Sequence, residues 1–164
     1  MGENDKTDSF AKEGKKAEID ETDKKIINIM IDDSRLSYRE IAKKVGVSVA
    51  TIMHRVKRLE KERVIKKYTA DIDYEKLGYD IVAIIEIKIA KGKLALIEKK
   101  ISASENVLAC YDITGDFDAQ IITRFRNRRG LDRFLKEIQT YEFVERTRTN
   151  LVLNVVKEGQ NRIS

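Results

Sequence analysis

The sequence contains no proline, one cysteine and one histidine. Because Cys110 is the only thiol, no intrachain disulfide can form, which fits a reducing cytoplasm. His54 is the only imidazole, so a metal site of the usual His/Cys kind lacks its partners and no cofactor is expected. The absence of proline beside abundant isoleucine, lysine and glutamate fits a heat-adapted source or, equally, codon bias.

Long apolar runs are also absent. No stretch reaches the roughly 18 apolar residues that suggest a membrane span, and no secretory signal opens the chain. A membrane is therefore not expected as a partner, and the expected location is the cytoplasm. Residues 1–18 are polar and mixed in charge, so they cannot bury enough apolar surface to offset the entropy of ordering, and they predict a disordered tail.

Positive charge is what the chain has in excess. The net charge is +5 and the isoelectric point about 9.2. Eleven lysines and arginines but only three glutamates lie between Arg35 and Tyr68, so this stretch alone exceeds the net charge of the whole chain. A basic run is often only a solvated helix face, but clustering on one motif favours a nucleic acid as the partner.

Three helices are predicted before residue 64. Asp20 can cap the first helix, and Ser37 with Glu40 forms a capping-box pattern at the start of the second. Gly46 suits the left-handed position that ends the second helix, and Ser48 can cap the third. Two helices joined by a tight turn, the second rich in cations, are typical of a helix-turn-helix DNA reader.

The third helix has two faces. Ile52, Val56 and Leu59 form an apolar stripe, whereas the other face carries short or cationic side chains, as a major-groove reader requires. Thr51 has two roles open to it, contact with DNA or a hydrogen bond to its own helix. The predicted DNA contacts are Arg39, Ser48, Ala50, Thr51, His54, Arg55, Arg58, Lys66 and Lys67.

The rest of the chain changes period. Residues 64–73 alternate and predict a strand, and a connector containing Gly78 follows. Alternation then predicts strands over 81–89, 107–113, 117–125 and 147–155, and helical spacing predicts helices over 94–101 and 131–138. The order βαββαβ is that of a ferredoxin-like domain with both helices on one face of the sheet.

The opposite face of that sheet is too apolar to remain in water, which predicts burial against another subunit. Its residues are Val82, Ile84, Leu108, Ile122 and Val152. Cys110 is expected to be a buried small hydrophobe. The predicted class is α+β, with a tail over 1–18, a helix-turn-helix domain over 19–64, a strand and linker over 65–79, a βαββαβ domain over 80–158 and a C-terminal tail over 159–164.

The chain resembles the Lrp/AsnC (leucine-responsive, feast/famine) family over residues 19–157. The matching runs include SYREIAKKVGVSVATIMHRVKRLEKERVI, IKKYTADIDYEKLG, ITGDFDAQI and TRTNLVL. The resemblance implies an N-terminal winged helix-turn-helix joined to a ferredoxin-like ligand-sensing domain. It also implies a transcription regulator that binds double-stranded DNA as a homodimer, tetramer or octamer, meets the transcription machinery and is nucleoid-associated in a prokaryotic cytoplasm.

The resemblance further implies an amino-acid effector, bound at the turn formed by Gly115, Asp116, Phe117 and Asp118. One departure from the family pattern is Arg63, which stands where a glycine usually precedes the Val-Ile pair. Without the resemblance, the carboxylates around this turn would be interpreted as residues that stabilise the turn and keep it soluble, since no nucleophile or metal ligand accompanies them.

Three other functions fit the sequence less well than that of a DNA-binding regulator. An RNA-binding sheet would need exposed aromatics on its central strands, but the outer face is aliphatic. An enzyme would need a nucleophile, base or phosphate loop, and the motifs for these are absent from the sequence. An amino-acid sensor acting only through protein contacts would leave the cationic helix unexplained.

Overall fold

The structure, a computed structural model, describes residues 16–90, 93 and 99–164. The chain divides into two compact units. The helical unit runs to Asp71 and includes Glu158–Ser164, and the sheet unit is Ile72–Lys157. No helix of the described residues is long and apolar enough to cross a membrane.

The helical unit contains α1 (Glu21–Asp32), α2 (Tyr38–Val45) and α3 (Val49–Lys61). These confirm the three predicted helices. The capping boxes of α1 and α2 are both formed. In each, the side chain of the cap residue accepts from the backbone N–H three positions on, and the side chain at that position accepts from the backbone N–H of the cap residue. The apolar stripes of the three helices meet in one core, whose buried residues are Ile26, Ile41, Ala42, Ile52 and Val56.

Two turns of this unit use left-handed backbone. Gly46 ends α2 at φ +83°, as its position in the sequence predicted. Arg63, beyond α3, also lies in the left-handed region, at φ +58°. The arginine therefore adopts the backbone conformation that a glycine would adopt without strain, and the turn is kept.

The predicted strand over 64–73 is not formed. These residues are irregular, and only Val64 and Ile65 among them are half-buried. A strand needs a neighbour to complete its hydrogen-bond ladder, and none of the described residues of this chain pairs with the segment.

The C-terminal residues join the helical unit instead of forming a separate tail over 159–164. The side-chain amide of Asn28 donates to the carbonyl of Ile163 at 2.8 Å, and the Ile163 N–H donates back to Asn28 Oδ1 at 2.7 Å. Arg162 pairs with Asp32 of the same helix. Two reciprocal hydrogen bonds and an ion pair thus fix this segment along α1.

The sheet unit has four antiparallel strands in the order β2-β3-β1-β4. The strands are β1 (Ile81–Ile89), β2 (Val107–Asp112), β3 (Ala119–Phe125) and β4 (Val144–Leu151), and α4 spans Arg128–Gln139. A short 3-10 helix, Glu75–Leu77, precedes β1. This confirms the predicted hairpin of the second and third strands and the α+β class.

One face of the sheet carries the core. Alternate residues of β1 and β3 are buried against α4, which contributes Leu131, Phe134 and Ile138. Residues 99–102 are helical and Ile101 is buried in the same core, while the predicted helical positions Leu94 and Ile97 lie outside the described residues. Cys110 is half-buried against this core, and burial raises the pKa of its thiol.

Two strands end differently from their predictions. Ladder pairing of β3 starts at Ala119, after Phe117, and β4 stops at Leu151 rather than 155. The Val152 N–H still donates to the Val82 carbonyl. Because β1 begins at Ile81, it offers no partner to the residues of the chain after Val152. Leu153 is accordingly 99% exposed.

Candidate nucleic-acid interface

The surface of α3 that faces away from its core forms a continuous stripe. We name as the outer stripe the exposed residues Val49, Ala50, Met53, His54 and Lys57. Val49, Met53 and Lys57 are spaced by four, so that they lie on one line along the helix. Val49 is 45% and Met53 42% exposed, although both are apolar and belong to a helix whose other face is buried in the core.

The N-terminal end of α3 is locked by its cap. Ser48 Oγ accepts from the Thr51 N–H at 3.1 Å, and the two hydroxyls lie 2.9 Å apart in a further hydrogen bond. Of the two roles open to Thr51, the bond to its own helix end is therefore formed. Ser48 remains exposed at the start of the helix.

Other cations of the helical unit remain in solvent. Arg39, Lys43 and Lys44 of α2 are exposed, and so are Lys66 and Lys67 in the irregular segment after α3. Tyr68 beside them donates its hydroxyl to Glu60 at 2.7 Å, and burial followed by this carboxylate raises the pKa of Tyr68. Among the described residues, no ion pair engages Arg39, Lys43, Lys44, Lys66 or Lys67, so these cations are available to phosphates.

Arg55 and Arg58, the two arginines expected at DNA, instead point to the start of α1. Arg55 Nη1 contacts Asp20 at 2.6 Å and Asp23 at 3.0 Å. Arg58 pairs with Asp23 and donates to the Glu18 carbonyl at 3.0 Å. Helical spacing set the side of α3 they occupy but not which carboxylates fold against it.

We name as the lock the cluster of Asp20, Asp23, Arg55 and Arg58, whose ion pairs join α1 to α3. Asp23 is fully buried, so its charge requires both guanidinium partners and the cap hydrogen bond. The hydrogen bond from Arg55 is the largest cause that lowers the pKa of Asp20 from 3.8 to about 2. The stabilisation from Asp20 is therefore complete above its unfolded pKa and is lost as the pH falls through about 2.

A cleft of about 520 Å³ opens beside this lock. Its lining carries three carboxylates and two guanidiniums, an excess of one negative charge, so it offers no net attraction for a phosphate. The lining residues are Glu18, Ile19, Asp20, Asp23, His54, Arg55 and Arg58. His54 of the outer stripe thus also borders the cleft.

Sequence reasoning missed Val49, Met53 and Lys57 as candidates for DNA contact. Their spacing by four, outside the apolar stripe of α3, was a usable signal. Helix face, charge and family resemblance together favoured the arginines, and none of these signals reveals the intramolecular carboxylates that pair with them.

The predicted effector turn lies between β2 and β3. Gly115 has φ +118°, and both Gly115 and Asp116 are exposed. Phe117 is buried, with the guanidiniums of Arg146 and Arg148 each 4.7 Å from its ring centroid. The turn thus presents one exposed carboxylate, next in sequence to an aromatic ring that two cations contact.

Asp118 of the same turn is engaged by its own chain. Its Oδ2 accepts from the Ile89 N–H at 2.8 Å and its Oδ1 from Lys88 Nζ at 3.3 Å. The backbone bond, followed by Lys88, lowers the pKa of Asp118. Among the turn carboxylates, Asp116 is therefore the one placed to meet a ligand from solvent. The described residues contain no group of histidine, cysteine and carboxylate side chains suited to a metal ion.

Comparison with known proteins agrees with both units. Residues 19–66 match a winged helix-turn-helix DNA-binding domain, and residues 82–162 match the Lrp/AsnC ligand binding domain. An uncharacterized HTH-type transcriptional regulator of Pyrococcus furiosus is 47% identical over 141 residues, which cover 86% of this chain and 95% of that protein.

Solved structures show the same architecture. AsnC of Escherichia coli superposes with a TM-score of 0.84 at 27% identity, covering 90% of this chain and 100% of that one. A transcriptional regulator of Neisseria meningitidis, solved as a complex with L-methionine, superposes with a TM-score of 0.81 at 24% identity, covering 90% of this chain and 97% of its own. The latter likeness establishes the fold alone.

Proposed function

Because the chain belongs to the Lrp/AsnC family, whose members are DNA-binding transcription regulators and not enzymes, we propose that it reads duplex DNA with the outer stripe of α3. In this proposal Met53 and Val49 meet base edges, where thymine methyl groups suit apolar side chains. Lys57, Lys66, Lys67 and Arg39 meet phosphates and fix the register.

The observation that carries the proposal is that the paired arginines and the exposed side chains lie on different sides of α3. Its two arginines are neutralised by α1, whereas Val49, Met53 and Lys57 remain exposed along one line. Arg55 and Arg58 are assigned to positioning: they hold α3 against α1, and their loss acts on DNA binding through the position of the helix.

We further propose that the regulator works as a dimer formed by the outer face of the sheet. Val82, Ile84, Ile122 and Val152 are half-exposed there, and Leu108 is 41% exposed. Ile84 and Ile122 lie opposite each other in the β1–β3 ladder, which makes a continuous apolar patch. A dimer brings two α3 helices to half-sites about one duplex turn apart or a multiple of it.

An amino-acid effector is proposed for the turn at Gly115–Asp118. The match of residues 82–162 to the Lrp/AsnC ligand binding domain supports a ligand in this unit, and the N. meningitidis regulator of the same fold was solved with L-methionine. Asp116 accepts the ammonium group in this proposal, since Asp118 is already occupied by Ile89 and Lys88. The ligand acts by binding one assembly or conformation better than another.

The test begins with selection of bound duplexes from a random pool by the full chain. Affinity is then measured by fluorescence anisotropy for Lys57→Gln, Met53→Ala and a matched control, Lys25→Gln on the exposed side of α1. We expect Lys57→Gln to weaken binding to all sequences uniformly and to lower the salt slope by about 0.9 for each subunit in contact. Met53→Ala should relax the preference at one base pair, and the control should change neither.

Unchanged affinity and sequence preference in both α3 variants would remove α3 from the interface. The same measurement with each of the common amino acids present tests the effector. Asp116→Asn should abolish any shift in DNA affinity that an amino acid causes and leave basal binding intact. A full shift in that variant would place the ligand elsewhere.

A further inference from the structure

A second basic stretch lies in the sheet unit, between residues 124 and 136. It holds six arginines and lysines and a single carboxylate, Asp132. We name as the arginine surface its exposed members Arg126, Arg128, Arg129 and Arg133. Neither α3 nor the effector turn makes use of these residues.

One member of this surface, Arg126, is held in place by contacts within the sheet unit. Arg126 donates to the Leu77 carbonyl at 2.7 Å, and its guanidinium lies 4.4 Å from the Tyr79 ring centroid. Tyr74 packs edge-on against Tyr79 and carries the guanidinium of Arg124 at 4.6 Å. A guanidinium stacked in this way keeps donors for a further partner and loses little freedom on binding it.

The second part of the surface is uncompensated. Arg128 and Arg129 occupy the first turn of α4, where the helix dipole opposes cations, and this turn has no acidic residue. Asp132 is paired with Lys136 at 2.7 Å. Within the part of the chain that the structure describes, no ion pair involves Arg128, Arg129 or Arg133.

We propose that the arginine surface binds the phosphate backbone of duplex DNA that flanks the site read by α3. Arginine forks match phosphate oxygens, and a partner with dense negative charge compensates the arrangement that the helix dipole disfavours. A second contact of this kind is blind to sequence and adds affinity only when the duplex extends beyond the operator.

The chemistry favours duplex DNA over other anionic partners. Single-stranded RNA is usually bound by stacking bases on exposed aromatic rings, and the rings of Tyr74 and Tyr79 already carry arginines. An acidic protein would need apolar anchors, but Phe125, Leu131 and Phe134 within this stretch are buried.

The inference rests on the proposed function, and its test separates the two. Binding of the full-length chain is measured against salt on a short duplex that holds only the selected operator and on a long duplex with flanks. The variant Arg128→Gln/Arg129→Gln is compared with Lys99→Gln/Lys157→Gln, which removes the same charge from exposed positions of the sheet unit outside the arginine surface.

We expect the arginine variant to lower the salt slope on the long duplex by about 2 for each subunit in contact. Its binding to the short duplex should equal that of the wild type, which also shows that the variant is folded. The lysine variant should retain the wild-type difference between the two duplexes.

Three results would overturn the inference while operator binding stands. One is an unchanged slope of the arginine variant on the long duplex. Another is an equal fall in the lysine variant, which would reduce the effect to net charge. The third is an arginine variant that loses binding to a single-stranded RNA of equal length but still binds the long duplex. If the wild type fails on the short duplex, the proposed function itself falls.

Discussion

Asp23 accepts hydrogen bonds from two arginines of α3 and from the cap of its own helix. It is fully buried, so its ionised carboxylate is stable only while these partners are present. The pairing ties the first turn of α1 to the middle of α3. A single side chain thus helps to set the angle at which the recognition helix is presented.

Asp23→Asn should lower the free energy of unfolding by roughly 3 kcal/mol, because it leaves two guanidiniums without their shared carboxylate. Urea unfolding followed by far-ultraviolet circular dichroism measures the loss. Asp20→Asn is the matched control, since Asp20 also pairs with Arg55 but is exposed.

The control variant should lose less stability at neutral pH than Asp23→Asn. Its difference from the wild type should vanish as the pH falls through about 2, where Asp20 itself becomes protonated. Equal stability of Asp23→Asn and the wild type would show that the lock contributes nothing to the fold.

At this scale the sequence predicted residue types better than their partners. The caps at Asp20, Ser37 and Ser48 are local patterns, and all three are formed. The pairing of Arg55 with Asp20 and Asp23 spans 35 and 32 residues, so it depends on how α1 and α3 pack. No spacing rule within one helix contains that information.

Among the elements, the two left-handed turns of the helical unit make a natural pair. Gly46 occupies one without strain, whereas Arg63 occupies the other with a side chain. A Cβ built on Gly46 would touch nothing within 4 Å, so only the backbone conformation resists a substitution there.

Gly46→Ala should destabilise the fold and Arg63→Gly should stabilise it, each by roughly 0.5–1 kcal/mol. The left-handed strain of about 1–2 kcal/mol exceeds the backbone entropy of about 0.5–1 kcal/mol that glycine loses on folding. Thermal or urea unfolding gives the sign of each change. Gly46→Asn should cost less than Gly46→Ala, because asparagine tolerates this region better; the same sign for both main variants would contradict the argument.

The strands show where element prediction succeeds and where it stops. β1 and β3 alternate strictly, because one face is buried, and their periodicity predicted them. Residues 64–73 alternate as well but have no partner strand among the residues that the structure describes. Alternation reports which side chains favour burial, whereas a strand also requires a hydrogen-bonding neighbour.

For the whole molecule, the proposed dimer depends on the outer face of the sheet. Ile84→Glu should convert the proposed dimer to a monomer, because it places an unpaired charge in the apolar patch with Ile122. Sedimentation equilibrium measures the change. Gln139→Glu, at the exposed end of α4, adds a similar charge as a control and should remain dimeric.

Operator affinity should fall in the Ile84→Glu variant as well, since each α3 would then bind its half-site alone. A dimer that survives this substitution would move the interface away from the sheet face. The sequence predicted the apolar patch from its alternation, but the molecule that covers it lies outside the information in a single chain.

The separation of roles along α3 also bears on how such regulators diverge. The residues that hold the helix in place, Ile52, Arg55, Val56, Arg58 and Leu59, alternate with those of the outer stripe. Substitutions at Val49, Met53 or Lys57 therefore change neither the core nor the lock with α1. In the proposed interface, gene duplication followed by drift at these three positions would produce regulators for new operators on an unchanged scaffold, and a designer would redirect specificity by the same route.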